Sequence, residues 1–462
     1  MAEAPEDWQL LDESADHVPG AAVAKAYGEL LAGREPERTV VVAVIDGGVD
    51  TAHVDLRGQL WQNPDETAGN RIDDDGNGYV DDVRGWNFIG GADGTSVQHD
   101  TWEVTRLYAA CTGAEAAPPN ATEPESCSAI VSDFESDRAE ATQLLGRVRE
   151  IAGILNAALP HLRAAAGTDS LTRERVEALR GGGPDVQRAR SVYLQLAANG
   201  ITPKDVEEAR KELESRVEYK LNPSFDPRAT VGDDYGDVED HVYGNRDVMG
   251  PDAKHGTHVA GIIGAIRGNG VGIDGIAPAV RIMAVRAVPD GDERDKDVAN
   301  AIRYAADNGA QIINMSFGKA YSPEKALVDE AVRYAESKGV LFIHAAGNDG
   351  EDLAQTESYP TRAFLDGGTA TNWIEVGASS WKGDSLAAAF SNYGAAQVDL
   401  FAPGVDILST VPGGGYERQD GTSMAAPVVT GVAALIMAYY PRLDAAGVKR
   451  VLLESATSYA DK

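Results

Sequence analysis

Thr39-Val-Val-Val-Ala-Val-Ile45 runs directly into Asp46-Gly47-Gly48-Val49-Asp50. All but one of the first seven residues are β-branched, and none is polar on one face only. A strand that is apolar on both faces has to be covered on both faces, which is the condition of a strand inside a parallel sheet. Comparable runs recur at 280–288, 311–315, 340–345, 373–376 and 397–401. Helical periodicity fills the gaps between them at 258–267, 297–308, 324–338 and 424–440. Alternation of this kind predicts an α/β fold, a doubly wound and mostly parallel sheet flanked by helices.

Around that pattern the chain divides into three parts. Residues 1–38 form a lead-in with one helix over 21–31. Residues 39–99 and 231–462 carry the α/β pattern. Residues 100–230 break it: β-branched runs vanish, and helices are predicted over 129–162, 172–180, 185–198 and 203–221. Thr202-Pro203-Lys204-Asp205 has a cap, a proline at the first helical position and an acid in the first turn. Gly181-Gly182-Gly183-Pro184 is a breaker. This block is read as a helical insertion.

The chain has 462 residues, 73 of them Asp or Glu against 41 Lys or Arg, for a formal charge of −32. Such a surface repels nucleic-acid phosphates and anionic membranes and attracts cations. Only 12 of the basic residues are Lys, with none between Lys25 and Lys204. Two readings stay open, a surface built for high salt and an ordinary acidic soluble protein. The two cysteines, Cys111 and Cys127, exclude a disulfide scaffold, and either one bridge or two thiols fits. The longest apolar stretch, 425–440, is interrupted by Pro427, Thr430 and Gly431 and reads as a buried helix, so no membrane insertion is expected. The start carries no apolar leader segment.

Three short segments carry chemistry-bearing residues. Asp46 ends the first strand. His255 opens an apolar helix in Lys254-His-Gly-Thr-His-Val-Ala-Gly261. Ser423 lies behind a glycine in Asp420-Gly-Thr-Ser-Met-Ala-Ala-Pro427. Singly, each is an ordinary strand-end acid, helix-start histidine or cap serine. Together they put an acid, a base and a hydroxyl at strand ends and helix starts, where α/β sheets place their sites. In Val-Ile-Asp46-Gly-Gly-Val-Asp50, His255-Gly-Thr-His-Val-Ala-Gly261, Gly421-Thr-Ser-Met-Ala-Ala-Pro427 and Ala345-Ala-Gly-Asn348, the sequence resembles the subtilisin-like serine peptidases, over about 35–95 and 240–458.

The resemblance implies a serine endopeptidase. Ser423 would be the nucleophile, His255 its general base and then acid, and Asp46 the group that fixes the imidazole tautomer. The Asn348 side chain and the Ser423 backbone N–H would form the oxyanion hole of an acyl-enzyme route. Ser316, Phe317, Gly318, Ala345 and Gly347 would line the substrate, with protein or peptide chains pairing along the Ser316–Gly318 edge. It also implies a secreted or periplasmic home and a prosegment ahead of the first strand, for which the lead-in is short. Two other readings compete: a non-catalytic calcium-binding scaffold of the same fold, and an esterase using the same triad, although no Gly-x-Ser-x-Gly elbow surrounds Ser423.

Structural Ca²⁺ is the expected cofactor. Asp73, Asp75, Asn77, Tyr79 through its carbonyl, and Asp81 occupy alternating positions of an EF-hand-like loop, with Arg84 where a glutamate is usual and Asp82 as its substitute. A second site is implied by the resemblance alone, from Asp55 and Asn269 with the carbonyls of Val271 and Ile273. The insertion, lying between Asp46 and His255, is read as a lid, a self-association element or a passive decoration.

Overall fold

The computed structural model describes residues 4–113, 126–383 and 385–459. Its centre is a seven-stranded sheet of β1 (Val40–Asp46), β2 (Gly85–Asn87), β3 (Val280–Arg286), β4 (Ile312–Met315), β5 (Leu341–Ala345), β6 (Trp373–Ser379) and β7 (Leu400–Pro403). The strand order is β2-β3-β1-β4-β5-β6-β7, and every neighbouring pair is parallel. Val40, Val42 and Val44 of β1 pack into one core with the helices Lys254–Gly264 and Thr422–Tyr439. Ala43 and Ile45 face a second core with the helices Asp295–Asp307 and Lys325–Ser337. Each such valine or isoleucine, fully removed from water, contributes about 1.5–3 kcal/mol. The doubly wound parallel sheet expected from the β-branched runs is the architecture found.

Two features escaped the apolar pattern. β2 is three residues long, too short to show a period. A hairpin, β8 (Ile407–Val411) with β9 (Gly415–Gln419), follows the sheet, and β9 is polar and half exposed. The His255 helix begins four residues earlier than its apolar period, because Lys254-His-Gly-Thr257 contributes little apolar surface to the first turn.

The chain forms two compact units. Met1–Glu103 and Asp226–Lys462 belong to the first, Val104–Glu115 and Glu125–Phe225 to the second. The second unit is helical, with Cys127–Ala166 the longest element, packed against Pro184–Ala198 and Pro203–Ser215. At the helix start read at Thr202 a capping box forms, with Asp205 and Thr202 exchanging hydrogen bonds. Cys111 and Cys127 are bridged within this unit, which resolves the open choice between bridge and thiols. Closing a loop of this size stabilises by roughly 3 kcal/mol in the chain-entropy picture.

Within the first unit, the residues at both ends of the inserted segment are fixed by ion pairs, buried except at Asp226, whose side chain is half exposed. Lys319 reaches Glu103 at 2.9 Å and Asp295 at 2.8 Å. Arg294 pairs with Asp100 at 2.9 Å and Asp226 at 3.1 Å. Arg228 spans Asp233 and Asp297, each at 2.6 Å, and Lys296 joins Asp233 at 2.8 Å. Asp233, Asp297 and Lys296 are almost fully enclosed. Losing one partner of such a pair costs about 3–5 kcal/mol, because the other charge is left dry.

Candidate active site

Asp46 is the last residue of β1 and is buried, with the Gly47 N–H donating to its Oδ1 at 2.7 Å. The His255 helix crosses against this turn at Gly256. A Cβ there would stand 2.3 Å from Gly48 O and 3.0 Å from Asp46 Oδ1, so only glycine lets the helix this close. The approach brings His255 Nδ1 to 2.9 Å from both Asp46 oxygens. A carboxylate on Nδ1 holds the proton there and leaves Nε2 as the acceptor. Burial disfavours the imidazolium, but the Asp46 charge and hydrogen bond outweigh it and hold the His255 pKa above its ordinary value.

Ser423 is the second residue of the Thr422–Tyr439 helix, so its N–H is one of those without an intrahelical acceptor. Its hydroxyl donates to Ser316 O at 3.1 Å, and the Ser316 hydroxyl returns a bond to Ser423 O at 3.1 Å. Among the described residues, no hydrogen bond joins Ser423 to His255. Ser316 and His255 nevertheless line one open cavity of about 420 Å³, together with Asp46 and Phe317.

Asn348 is oriented by Thr422, whose N–H and hydroxyl donate to its Oδ1 at 2.9 and 3.0 Å. That leaves the Nδ2 side of the amide for the cleft. Gly421, at φ 153°, marks the spot: a Cβ on it would lie 3.6 Å from Ser423 N and 3.7 Å from Asn348 Nδ2. Two donors therefore flank one small volume at a helix N-terminus, an arrangement suited to a developing negative charge.

Gly318 sits where a Cβ would press on the Ser358 hydroxyl at 2.8 Å, and Gly347 where one would meet Asn392 Nδ2 at 2.4 Å. Ala345 is buried at the end of β5. Phe317 packs partly buried against the second core. Three contributors lay outside the sequence reading. Thr422 holds Asn348. Asn392 braces the segment after β5, donating to Ala346 O and accepting from Asp349 and Glu351 N–H. Arg286 is buried under the Asp46 turn and donates to Gly47 O, Asn87 Oδ1 and Val97 O. Burial pushes its pKa down to about 10. Thr422 stands inside a quoted motif; the other two act over distances that leave no local signal.

The acidic loop departs from the EF-hand numbering. Glu66, Asp73 and Asp75 bring carboxylate oxygens within 4.8 Å of one another. Asp81 is engaged elsewhere, accepting from the N–H groups of Gly69, Asn70 and Arg71 and from Arg246. Asp82 accepts from Asn63, Asn77 and Tyr304. The Tyr79 side chain donates to His241 O. Asp55 and Asn269 do meet, the Asn269 amide donating to Asp55 Oδ1 at 2.7 Å, while Ile273 N–H and the Tyr416 hydroxyl take Oδ2. The Val271 N–H donates to Asn269 Oδ1.

The model of the subtilase family matches residues 37–462. A thermophilic serine proteinase of Bacillus sp. strain AK1 is 42% identical over 226 residues, 48% of this chain and 50% of that protein. Subtilisin BL of Lederbergia lenta is 39% identical over 205 residues, 44% of this chain and 70% of that one. A cold-adapted subtilisin-like serine proteinase of solved structure is 34% identical, with a TM-score of 0.40 over 47% of this chain and 74% of the other. The match thus spans about half the length of the first of these relatives. With the family model running through nearly all of the sheet and every segment quoted above, the chain belongs to the subtilase family.

Proposed function

We propose that this chain is a secreted or periplasmic serine endopeptidase whose acyl-enzyme forms on Ser423. The observation that carries the reading is the two-oxygen contact of Asp46 with His255 Nδ1, beside a cavity that also holds Ser316, the present partner of the Ser423 hydroxyl. On substrate entry the hydroxyl turns from Ser316 O to His255 Nε2, which takes its proton as the scissile carbonyl is attacked and gives it to the leaving amine. Asn348 Nδ2 and Ser423 N–H then carry the oxyanion. Water repeats the sequence on the acyl-enzyme. Titration with a serine-directed phosphonate, followed by mapping of cleavage sites in a peptide library, tests this. Stoichiometric labelling at Ser423 with internal peptide cleavage is expected; labelling with cleavage of short esters only leaves an esterase, and no labelling leaves a scaffold.

His255 has to be neutral to accept the Ser423 proton. Because its pKa lies above the ordinary 6.5, kcat/KM is expected to rise with pH through a midpoint higher than 6.5. A rate–pH profile with its acid limb below that value would contradict the Asp46–His255 coupling.

Structural Ca²⁺ is proposed at the acidic loop, with Glu66 added to Asp73 and Asp75 and with Asp81 left to Arg246. The support is Glu66 Oε2, buried and without a hydrogen-bond partner beside two further carboxylates. Burial, with the neighbouring Asp82 and Asp75, pushes the Glu66 pKa up. A cation in reach of these oxygens reverses that cost. The Asp55–Asn269 pair, with the Val271 and Ile273 carbonyls, is proposed as a second place, for which the Asn269 amide would have to present its oxygen. With Ca²⁺ at a thousand times its Kd the stabilisation is about 4 kcal/mol, so a chelator is expected to lower Tm by on the order of 10 °C. Glu66→Gln should shrink that difference, and equal Tm with and without chelator would remove the site.

A further inference from the structure

β4, β5 and β6 bring three residues into line across the sheet. His344 of β5 stands opposite Met315 on one side and Glu375 on the other. Its imidazole has no exposed surface. Nδ1 lies 2.8 Å from Glu375 Oε1, and Nε2 lies 3.0 Å from the carbonyl oxygen of Phe317. The other Glu375 oxygen accepts from the Trp373 indole N–H at 2.8 Å. A peptide carbonyl has no hydrogen to donate, so Nε2 is a donor. Where Glu375 is ionised, Nδ1 is a donor as well, and only the imidazolium has two N–H groups. His258, equally buried, makes the contrast: Nε2 meets two carbonyls, Nδ1 has no partner, and burial takes its pKa down to about 4.

We propose that His344 is a positioning residue, holding the Phe317 carbonyl and with it the Ser316–Gly318 substrate edge only while its imidazole carries both protons. The inference rests on the endopeptidase reading of that edge. The titratable and charged groups facing the ring are Glu375 from β6 and Glu293 from the loop before the Asp295–Asp307 helix, the latter pushed up to about 7 by burial, with Lys319 next to Glu293. Burial opposes the charge on His344, but Glu375, then its hydrogen bonds and Glu293, outweigh it and keep the pKa above the ordinary value. Protonation therefore persists through neutral pH and is lost as pH rises through that raised value. The proton facing the carboxylate is the one retained, so Nε2 then turns a lone pair to Phe317 O. The carbonyl loses its donor and the edge its brace, one residue from the Ser316 carbonyl that accepts from Ser423.

Two measurements test this. In steady-state kinetics on an extended peptide, KM is expected to rise about tenfold on the alkaline side while kcat changes less, the cost of an unsatisfied buried carbonyl read as a fold-change. Glu375→Gln removes the charge that retains the second proton. It is expected to move this alkaline limb to lower pH and to leave the His255 limb in place, whereas a merely structural role would shift neither. Nitrogen-15 histidine NMR of the wild-type protein reads the same state without any activity and without a variant that has to fold. Two protonated nitrogens on His344 at pH 7 are expected; one protonated nitrogen, or an unmoved limb in Glu375→Gln, overturns the proposal. Absence of peptide cleavage with a doubly protonated His344 would instead strike the endopeptidase reading alone.

Discussion

Asp46→Asn is expected to reduce kcat about 10⁴-fold with little change in KM, the scale known for the equivalent change in another serine peptidase fold. The reason is the direction of one proton. His255 Nδ1 faces both Asp46 oxygens at 2.9 Å, so the carboxylate fixes a hydrogen on Nδ1 and a lone pair on Nε2. An asparagine offers an N–H to Nδ1, which then prefers to accept, and the imidazole hydrogen moves to Nε2. In that tautomer the ring has nothing with which to take the Ser423 proton. The substitution is nearly isosteric, and the Gly47 N–H keeps its acceptor, so the fold should persist. Phosphonate labelling of Ser423 should slow in parallel with peptide turnover. A variant that labels at the wild-type rate would show that Asp46 does not act through His255.

Asn348→Leu is the second large effect. A decrease of about 10²–10³ in kcat, roughly 3–4 kcal/mol, is expected, a magnitude carried over from the corresponding change in a subtilisin. Asn348 Oδ1 is occupied by two donors from Thr422, so the amide cannot turn over without losing both. Its Nδ2 and the Ser423 N lie 3.7 and 3.6 Å from the point a Cβ on Gly421 would occupy. Charge appears there only as the carbonyl is attacked, so the loss should fall on kcat and spare KM. Thr422→Val, which removes one of the two bonds orienting the amide, is expected to act in the same direction and less strongly. Parallel kinetics of the two variants on one peptide check the ordering; an unchanged kcat in Asn348→Leu would remove the oxyanion assignment.

The sheet was legible because its strands are buried on both faces, and Val40–Asp46 shows this in seven consecutive residues. The residues proposed for the site drew notice where they stand in contiguous motifs, as at His255, Ser423 and Asn348. What could not be read was pairing at long range. Ser316 and Ser423 exchange hydrogen bonds across 107 positions, and nothing near either one says so. His344 and Glu375 look like interruptions of two apolar strands until the register sets them side by side. Asp81 fitted a loop template by spacing, yet three backbone N–H groups and Arg246 compete for the same carboxylate. Glu66, ahead of the motif, had no position in the template.

The enclosed charges around Arg228, Lys296 and Lys319 have a bearing on so acidic a chain. Dissolved ions weaken attraction between exposed partners such as Arg173 and Glu177, whose side chains are about half open to solvent. They hardly reach Asp233, Asp297 or Lys296. In brine, then, the mutual repulsion of the anionic exterior fades together with its weak surface pairs, while the interior fastenings at either end of the inserted segment keep their grip. The molecule has its cohesive charges where salt cannot dilute them and its disruptive ones where salt can.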